Sequence, residues 1–485
     1  MSLRICQAAS EVTPFAKTGG LGDVVAGLSR ALGRAGHDVR VFLPFYARLA
    51  KQDRSFTVVE FLRDVEIRLG ARRLVYSVFT SKLPDSDVDV YFVHCPALYH
   101  HDSIYSSDWD EYLRFALLSR ASIESCQRMG WSPQVFHVHD WHTALIPLYL
   151  KTVYAWDRIF ARTRTVLTLH NLGYSGTFGR QVLGELGLAE HARLLFAEDL
   201  AAGRVSFLKT GLLHADVLTT VSRTYAREIL TPEHGFGLDP VLRARADRLI
   251  GIVNGVDYGE WDPSSDPHLP HHYSPRSLAG KGKMRRTLLE KVGLPEARTA
   301  PVVGMVSRLT AQKGLDLLFD TVPDLLSQRD LRFVALGNGE ERYESFFSWL
   351  QGAYPGKAWY FRGYHEELAH WIEAGADLFL MPSRYEPCGL NQMYSLKYGT
   401  PPIVRRTGGL ADTVTQWDPA ARQGTGFLFD HFTPEGLRWA LERALEAFGD
   451  PAAWKQLQLN GMAQDFSWER QVREYEALYA RLTSG

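Results

Sequence analysis

Cysteine is scarce in this chain of 485 residues: Cys6, Cys95, Cys126 and Cys388 are the whole complement, and no two share a Cys-x-x-Cys spacing. That excludes a disulfide-stapled scaffold and a cysteine-held zinc, and it suits a reducing compartment. No apolar run reaches the roughly 18 residues needed to cross a bilayer. The first residues show no basic stretch leading into an apolar core, so no secretory signal is expected and the cytoplasm is the expected location. Charge of either sign is not in excess, with a formal net of −1, which removes the general electrostatic case for nucleic acid or an anionic membrane as partner. Seventeen histidines are present, yet none falls in His-Glu-x-x-His. The phosphate loop GxxxxGK[ST] and the dinucleotide fingerprint GxGxxG are missing as well. No metal and no cofactor is expected.

What is present has the composition of a soluble globular protein, 45% hydrophobic and 22% charged. The length exceeds one ordinary core, so two or more domains are expected. Short apolar runs alternate with helical patterns from the start. Strands are expected at 39–44, 88–93, 135–139, 165–170, 216–221 and 250–253, which indicates a mostly parallel sheet. Residues 254–275 hold Gly255, Gly259, four prolines and three histidines, a composition that reads as a linker or hinge. The alternation then restarts with strands at 301–306, 331–336, 378–381 and 402–404. The division expected is 1–253, 254–465 and a C-terminal helix over 466–485. Val472, Tyr475 and Tyr479 fall on one stripe of that helix. One six-residue echo links the halves: Thr18-Gly19-Gly20-Leu21-Gly22-Asp23 returns as Thr407-Gly408-Gly409-Leu410-Ala411-Asp412.

Four segments carry chemistry, and each also has a plainer reading. Lys17-Thr18-Gly19-Gly20-Leu21-Gly22-Asp23-Val24 joins a strand to a helix opening near Leu21. Backbone N–H groups, the helix N-terminus and Lys17 would suit a phosphorylated ligand; the alternative is a tight turn with no ligand. Ser307-Arg308-Leu309-Thr310-Ala311-Gln312-Lys313-Gly314 follows a strand. Its Arg308 can fork onto two phosphate oxygens and Lys313 is a point charge; the alternative is a solvated basic loop. In Ser383-Arg384-Tyr385-Glu386-Pro387-Cys388-Gly389-Leu390-Asn391, Glu386 can accept sugar hydroxyls, and the N–H groups at 389–391 can meet phosphate at a helix start near Gly389. Cys388 lacks a paired base and reads as a packing or contact residue. His137-Val138-His139-Asp140-Trp141-His142 has metal-ligand residue types, but a strand-end loop with an aromatic anchor is the preferred reading, with His139 and Asp140 available to a sugar or diphosphate. His170-Asn171 also follows a strand, so its imidazole or carbonyl can serve a ligand or the fold.

Taken together and in this order, these segments resemble the bacterial and plastid glycogen and starch synthases, glycosyltransferase family 5. KTGGLGDV at 17–24, HDWH at 139–142, HNLGYSG at 170–176 and NGVD at 254–257 carry the resemblance in the first half. SRLTAQKGLDLL at 307–318, SRYEPCGLNQMYSLKYGTPPIV at 383–404 and TGGLADTV at 407–414 carry it in the second. The resemblance implies a GT-B fold, with two Rossmann-like α/β domains and parallel sheets facing a central cleft. It implies transfer of glucose from ADP-glucose to the non-reducing end of an α-1,4-glucan such as glycogen, with retained configuration and no catalytic metal.

By the same resemblance, Glu386, His170, Lys313 and Arg308 form the catalytic set. Lys17, Gly19, Gly20, Asp23, Tyr99, Asp140, Asn254, Cys388, Gly389 and Leu390 contact substrate. Many retaining GT-B enzymes carry two glutamates separated by seven residues; here the second place, eight positions after Glu386, is held by Tyr394, which fits the glycogen-synthase branch. The alternatives are a UDP-sugar donor on the same fold, a phosphorylase with pyridoxal phosphate or an epimerase, and a glucan-binding scaffold with a decayed site.

Overall fold

The computed structural model describes residues 2–101, 103–106, 108–296 and 299–484. It divides into two compact units. The first comprises Met1–Val221, Ala226–Gly255 and Trp468–Gly485; the second comprises Ser222–Tyr225 and Val256–Ser467. Each is α/β and built on a parallel-rich sheet, the pair of Rossmann-like units that makes up a GT-B fold.

In the first unit the strands are β1 (Arg4–Ala8), β2 (Asp38–Pro44), β3 (Thr57–Val58), β4 (Val65–Leu69), β5 (Arg72–Lys82), β6 (Asp89–His94), β7 (Val135–His139), β8 (Arg164–Leu169), β9 (Thr177–Gly179), β10 (Arg204–Ser206), β11 (Val217–Thr220) and β12 (Leu249–Gly251). The main sheet runs β12-β11-β8-β7-β1-β2-β6-β5-β3, with β4 paired to β5. From β12 to β6 all pairings are parallel; β5 joins β6 antiparallel. The chain winds from β1 to β2 and β6 on one side, then restarts at β7 and fills the other side. Its direction therefore reverses between β1 and β7, the place where an open α/β sheet leaves a crevice at its strand ends.

Buried apolar residues make the strands. Ile5, Cys6, Ala8, Val41, Phe42 and Val138 are fully enclosed, as expected of parallel strands covered on both faces. The helix Gly20–Arg34 lays Val24, Val25, Leu28 and Leu32 on the sheet. The C-terminal helix Trp468–Thr483 packs against it at Gly27, where a Cβ would lie 1.9 Å from the Trp468 ring nitrogen. Arg34 pairs with Glu469 (3.1 Å), His37 with Glu476 (3.2 Å), and the Tyr479 hydroxyl meets His137 Nδ1 (2.7 Å).

The second unit has β13 (Val302–Val306), β14 (Arg332–Gly337), β15 (Ala358–Arg362), β16 (Leu378–Met381), β17 (Pro402–Arg405) and β18 (Phe427–Phe429). Their order is β15-β14-β13-β16-β17-β18, all parallel. Here the winding reverses between β13 and β16. Helix Glu366–Gly375 lies close on β13 because Gly304 has no side chain; a Cβ there would be 2.7 Å from Ile372 Cγ2.

Several features depart from the sequence reading. The antiparallel edge β3–β5, the β9–β10 pair, β15 and β18 were not expected; β3, β9, β10 and β18 are only two or three residues long, while β15 does carry the apolar run Ala358–Phe361. Ser222–Tyr225 belongs with the second unit: Ser222 Oγ donates to the Pro387 carbonyl (2.6 Å), and Thr224 donates through N and Oγ1 to Asp412 (2.8 and 2.6 Å). Residues 256–275, read as a linker, are anchored in the second unit. The fully buried Asp266 accepts from Tyr398 Oη (2.5 Å), His370 Nδ1 (2.8 Å) and His268 N (2.8 Å). Proline and glycine mark turns there, and those turns are fixed by tertiary contacts that sequence composition does not show.

Candidate active site

The first unit gathers its chemistry at the carboxyl ends of β1, β7 and β8. The loop after β1 carries Glu11, which is 2% exposed. Its carboxylate accepts from Thr18 N (2.5 Å), Thr18 Oγ1 (2.6 Å), Gly19 N (3.2 Å) and Tyr105 Oη (2.5 Å). Two of the N–H groups assigned to an anion by the sequence reading are thus taken by the protein's own acid. Glu11 fixes the loop's shape through Thr18 and Gly19. Gly19 is the N-cap of helix Gly20–Arg34 and brings no capping side chain. A Cβ on Gly19 would meet nothing within 4 Å, so the fold itself does not demand glycine there. Lys17 is exposed and pairs with Asp23 (2.8 Å), which also accepts from Thr13 Oγ1 (2.8 Å). Asp23 therefore positions Lys17.

At β7 and β8 a hydrogen-bonded row runs Gln7 Oε1–His139 Nε2 (2.7 Å) and His139 Nδ1–His170 Nε2 (3.0 Å). Burial lowers the His170 pKa to about 3 and that of His139 well below the ordinary value, neighbouring histidines adding to the latter. His170 is a neutral imidazole at neutral pH, with Nε2 engaged inward. Asp140 lies in the left-handed region (φ 52°) and accepts the His170 N–H at 2.7 Å. Burial raises its carboxyl to about pKa 7, opposed by the backbone N–H groups of His170 and Asn171. Asp140 fastens the end of β7 to the end of β8 and sets the direction of the His170 backbone.

Asn254, just past β12, is buried, and its Oδ1 has no hydrogen-bond partner among the described residues. Tyr99 is different. Its ring is fully buried and its hydroxyl donates to the Arg114 carbonyl at 2.7 Å. Tyr99 braces the loop that Arg114 also holds by bonds to Leu98 O and Ile104 O (both 2.9 Å).

The second unit repeats the plan at β13 and β16. After β13, Ser307 and the exposed Arg308 lead into Lys313 and Gly314. After β16 comes the turn 382–390. Gly314 (φ 70°) lies against it so closely that a Cβ would be 2.0 Å from the Pro382 carbonyl. This approach brings Lys313 Nζ to 2.6 Å from Glu386 Oε2, which also accepts from Ser383 Oγ (2.9 Å). Glu386 is 5% exposed, so the pair lies largely out of water and is screened little by salt. Arg308 makes no ion pair among the described residues. From below, Gly408 and Gly409 support the turn: Cβ atoms would lie 1.9 Å from Glu386 O and 2.2 Å from Cys388 O, respectively.

Cys388 is buried, with its carbonyl accepting from Gln392 Nε2 (3.0 Å). Gly389 has φ 73°, Leu390 is the N-cap, and the helix spans Asn391–Lys397, two residues later than expected. Asn391 Nδ2 returns to Val306 O (2.9 Å), tying this helix to β13. The structure thus assembles Lys17, Gly19, Gly20, Asp23, Asp140 and His170 in one unit and Arg308, Lys313, Glu386, Cys388, Gly389 and Leu390 in the other. Glu11, Tyr105, Gln7 and Ser383 were missed. Only Glu11 left a trace in the sequence, as an acid between an apolar strand and a glycine loop.

Two α/β units whose sheets each reverse direction beside glycine-bearing turns, with cationic side chains at both, define a GT-B glycosyltransferase. Residues 4–244 match the starch synthase catalytic domain, and residues 289–456 match glycosyl transferases group 1. The chain is 46% identical to a glycogen synthase of Koribacter versatilis (strain Ellin345) over 483 residues, 99% of this chain and 98% of the relative. It is 46% identical to a glycogen synthase of Anaeromyxobacter dehalogenans (strain 2CP-C) over 485 residues, covering 99% of this chain and all of the relative. The solved catalytic domain of starch synthase IV from Arabidopsis thaliana, bound to ADP and acarbose, superimposes with a TM-score of 0.93 at 33% identity and full coverage of both chains. A sucrose-phosphate synthase from Thermosynechococcus elongatus shares the fold alone (TM-score 0.63, 18% identity, 99% of both chains). This chain belongs to the glycogen and starch synthase family. Among the described residues, no helix is long and apolar enough to cross a membrane.

Proposed function

We propose that this chain transfers glucose from ADP-glucose to the non-reducing end of an α-1,4-glucan, with retained configuration. The observation that carries the reading is the Lys313–Glu386 pair at the reversal point of the second sheet, beside Arg308. The full-length likeness to a starch synthase whose structure holds ADP and acarbose supports it.

Breaking the bond to ADP builds oxocarbenium character on glucose and negative charge on the departing phosphate. Arg308 and Lys313 stabilise that charge, and Lys17 adds to it. One preorganised donor to a developing anion is worth about 3–4 kcal/mol. Glu386 accepts glucose hydroxyls while holding Lys313 in place. Asp140 directs the His170 backbone, whose carbonyl positions the sugar. Asn254 contributes its unpartnered carboxamide oxygen to the ligand, and Gly389 and Leu390 close the turn around the phosphates.

Retention by double displacement needs a carboxylate nucleophile backed by a second acid–base carboxyl. The two carboxylates nearest the chemistry are each held by one oxygen, Asp140 Oδ1 by the His170 backbone N–H and Glu386 Oε2 by Lys313 and Ser383, and among the described residues neither has a second carboxyl bonded to it. Attack from the leaving-group face is the reading that fits, with the acceptor hydroxyl forming the new C1–O bond as the C1–phosphate bond breaks and its proton passing to the departing phosphate.

The test is transfer of labelled glucose from ADP-glucose and UDP-glucose to glycogen. The expected result is incorporation with a clear preference for ADP-glucose. Equal or better use of UDP-glucose overturns the donor assignment; glucan binding without turnover overturns the enzymatic reading.

A further inference from the structure

His268, Glu366 and His370, none of them part of the turns described above, bring one ligand atom each to within 4.8 Å of one another in the second unit. We propose that these three residues form a binding site for a divalent transition-metal ion of the zinc class, completed by water.

Local geometry prepares the site. Glu366 and His370 are four residues apart on helix Glu366–Gly375, so they share a face. His268 arrives from the segment anchored by Asp266. His370 is fully buried, and its Nδ1 donates to the Asp266 carboxylate at 2.8 Å. That bond fixes the tautomer and leaves the Nε2 lone pair free. Nε2 is buried and has no hydrogen-bond partner among the described residues. An unpaired buried acceptor is costly unless something fills it. A carboxylate that orients a histidine through its other nitrogen is the usual support behind a metal-binding imidazole.

The ring cannot turn away. Trp261 stacks on it at 3.7 Å and 12°, and the same indole stacks on Tyr394 at 4.0 Å. Tyr398 Oη donates to the same Asp266 oxygen, Oδ2, at 2.5 Å, and the Trp371 ring N–H holds the His268 carbonyl at 2.7 Å. Two imidazoles and one carboxylate suit zinc, with a fourth position left for water. Tetrahedral zinc holds its nitrogen and oxygen ligands about 2.0–2.2 Å from the ion, which sets them about 3.4 Å from one another. Movement of the exposed Glu366 and half-buried His268 side chains by about 1–1.5 Å closes the set. The ion would cross-link residues 256–275, which follow the boundary between the units, to helix Glu366–Gly375. It plays no part in the transfer step.

The experiment titrates Zn²⁺ into the chelator-stripped full chain and reads affinity by competition with a chromophoric chelator and stability by thermal unfolding. Glu366→Gln and His268→Ala are compared with the wild type; both residues are partly or fully exposed, so the fold tolerates them. The wild type is expected to bind one more high-affinity equivalent than either variant and to unfold at higher temperature with Zn²⁺. Affinity for that equivalent should drop at least tenfold in each variant, and Mg²⁺ should not substitute. Identical titrations for wild type and both variants, or a Zn²⁺-dependent rise in melting temperature that survives in Glu366→Gln, overturn the proposal.

Discussion

The same six-residue pattern, Thr-Gly-Gly-Leu-x-Asp, stands at a strand-to-helix turn in both units and does different work in each. In Thr18–Asp23 the N-cap glycine faces open space, and the terminal aspartate holds a lysine. In Thr407–Asp412 the glycines are wedged under two carbonyls of the turn 382–390, and the terminal aspartate holds Thr224 through its N and Oγ1. A side chain at Gly19 would meet nothing of the chain within 4 Å, which leaves that position open to the ligand proposed above. The second pair of glycines makes room for the chain itself. A motif therefore specifies a backbone shape, and its surroundings decide whether a ligand or another loop occupies the space.

The charged groups differ in the same way. The first unit relies on buried neutral histidines in a hydrogen-bonded row. The second relies on an ion pair shielded from water, backed by a serine hydroxyl. These contrasts set the expected responses to perturbation. Lys313→Ala removes a charge from the developing phosphate and leaves Glu386 buried without its partner. It should lower kcat by about 10²–10³-fold, measured as glucose incorporation at saturating donor; a loss below tenfold would move the phosphate-stabilising role elsewhere.

Acidification should separate the units. The pKa values of His137 and His170 are depressed to about 3 by burial. The unfolded chain therefore takes up protons below about pH 6.5 that the folded first unit refuses. Stability is fully present above that pH and is lost as pH falls. At pH 5 the loss should be about 2 kcal/mol per histidine relative to pH 7. Hydrogen exchange at Val135–His139 would report it, with β13 amides changing less; equal acceleration in both strands would erase the contrast. Lys17→Ala should have the smallest effect on folding. Its ion pair with Asp23 is about half exposed, so stability should change by less than about 1 kcal/mol, while kcat/KM for the donor falls about tenfold. Unchanged kinetics would reduce the opening loop to a structural turn.

Much of this was legible in the sequence, for identifiable reasons. Short apolar runs such as Val302–Val306 and Val41–Leu43 announce buried parallel strands. Glycines at strand ends announce the turns, and Arg308, Lys313 and Glu386 were singled out by type and place. What was not legible depends on distant pairing. Nothing local to Glu11 says that it will take the N–H groups of Thr18 and Gly19. Nothing local to Tyr99 distinguishes a ligand contact from a brace on Arg114. The segment 256–275 looks like a linker until Asp266 finds Tyr398 and His370, more than 100 residues away.

The contrast between the two glycine turns is tested most directly by ADP binding and chemical unfolding measured together on Gly19→Ala and Gly408→Ala. Gly19→Ala should cost at most about 1 kcal/mol of stability, the scale of losing a tolerant N-cap, while weakening ADP at least tenfold. Gly408→Ala, at φ 43° with its new methyl 1.9 Å from a carbonyl oxygen, should cost about 3 kcal/mol or more. Undiminished ADP affinity in Gly19→Ala, or equal destabilisation of the two variants, would contradict the account.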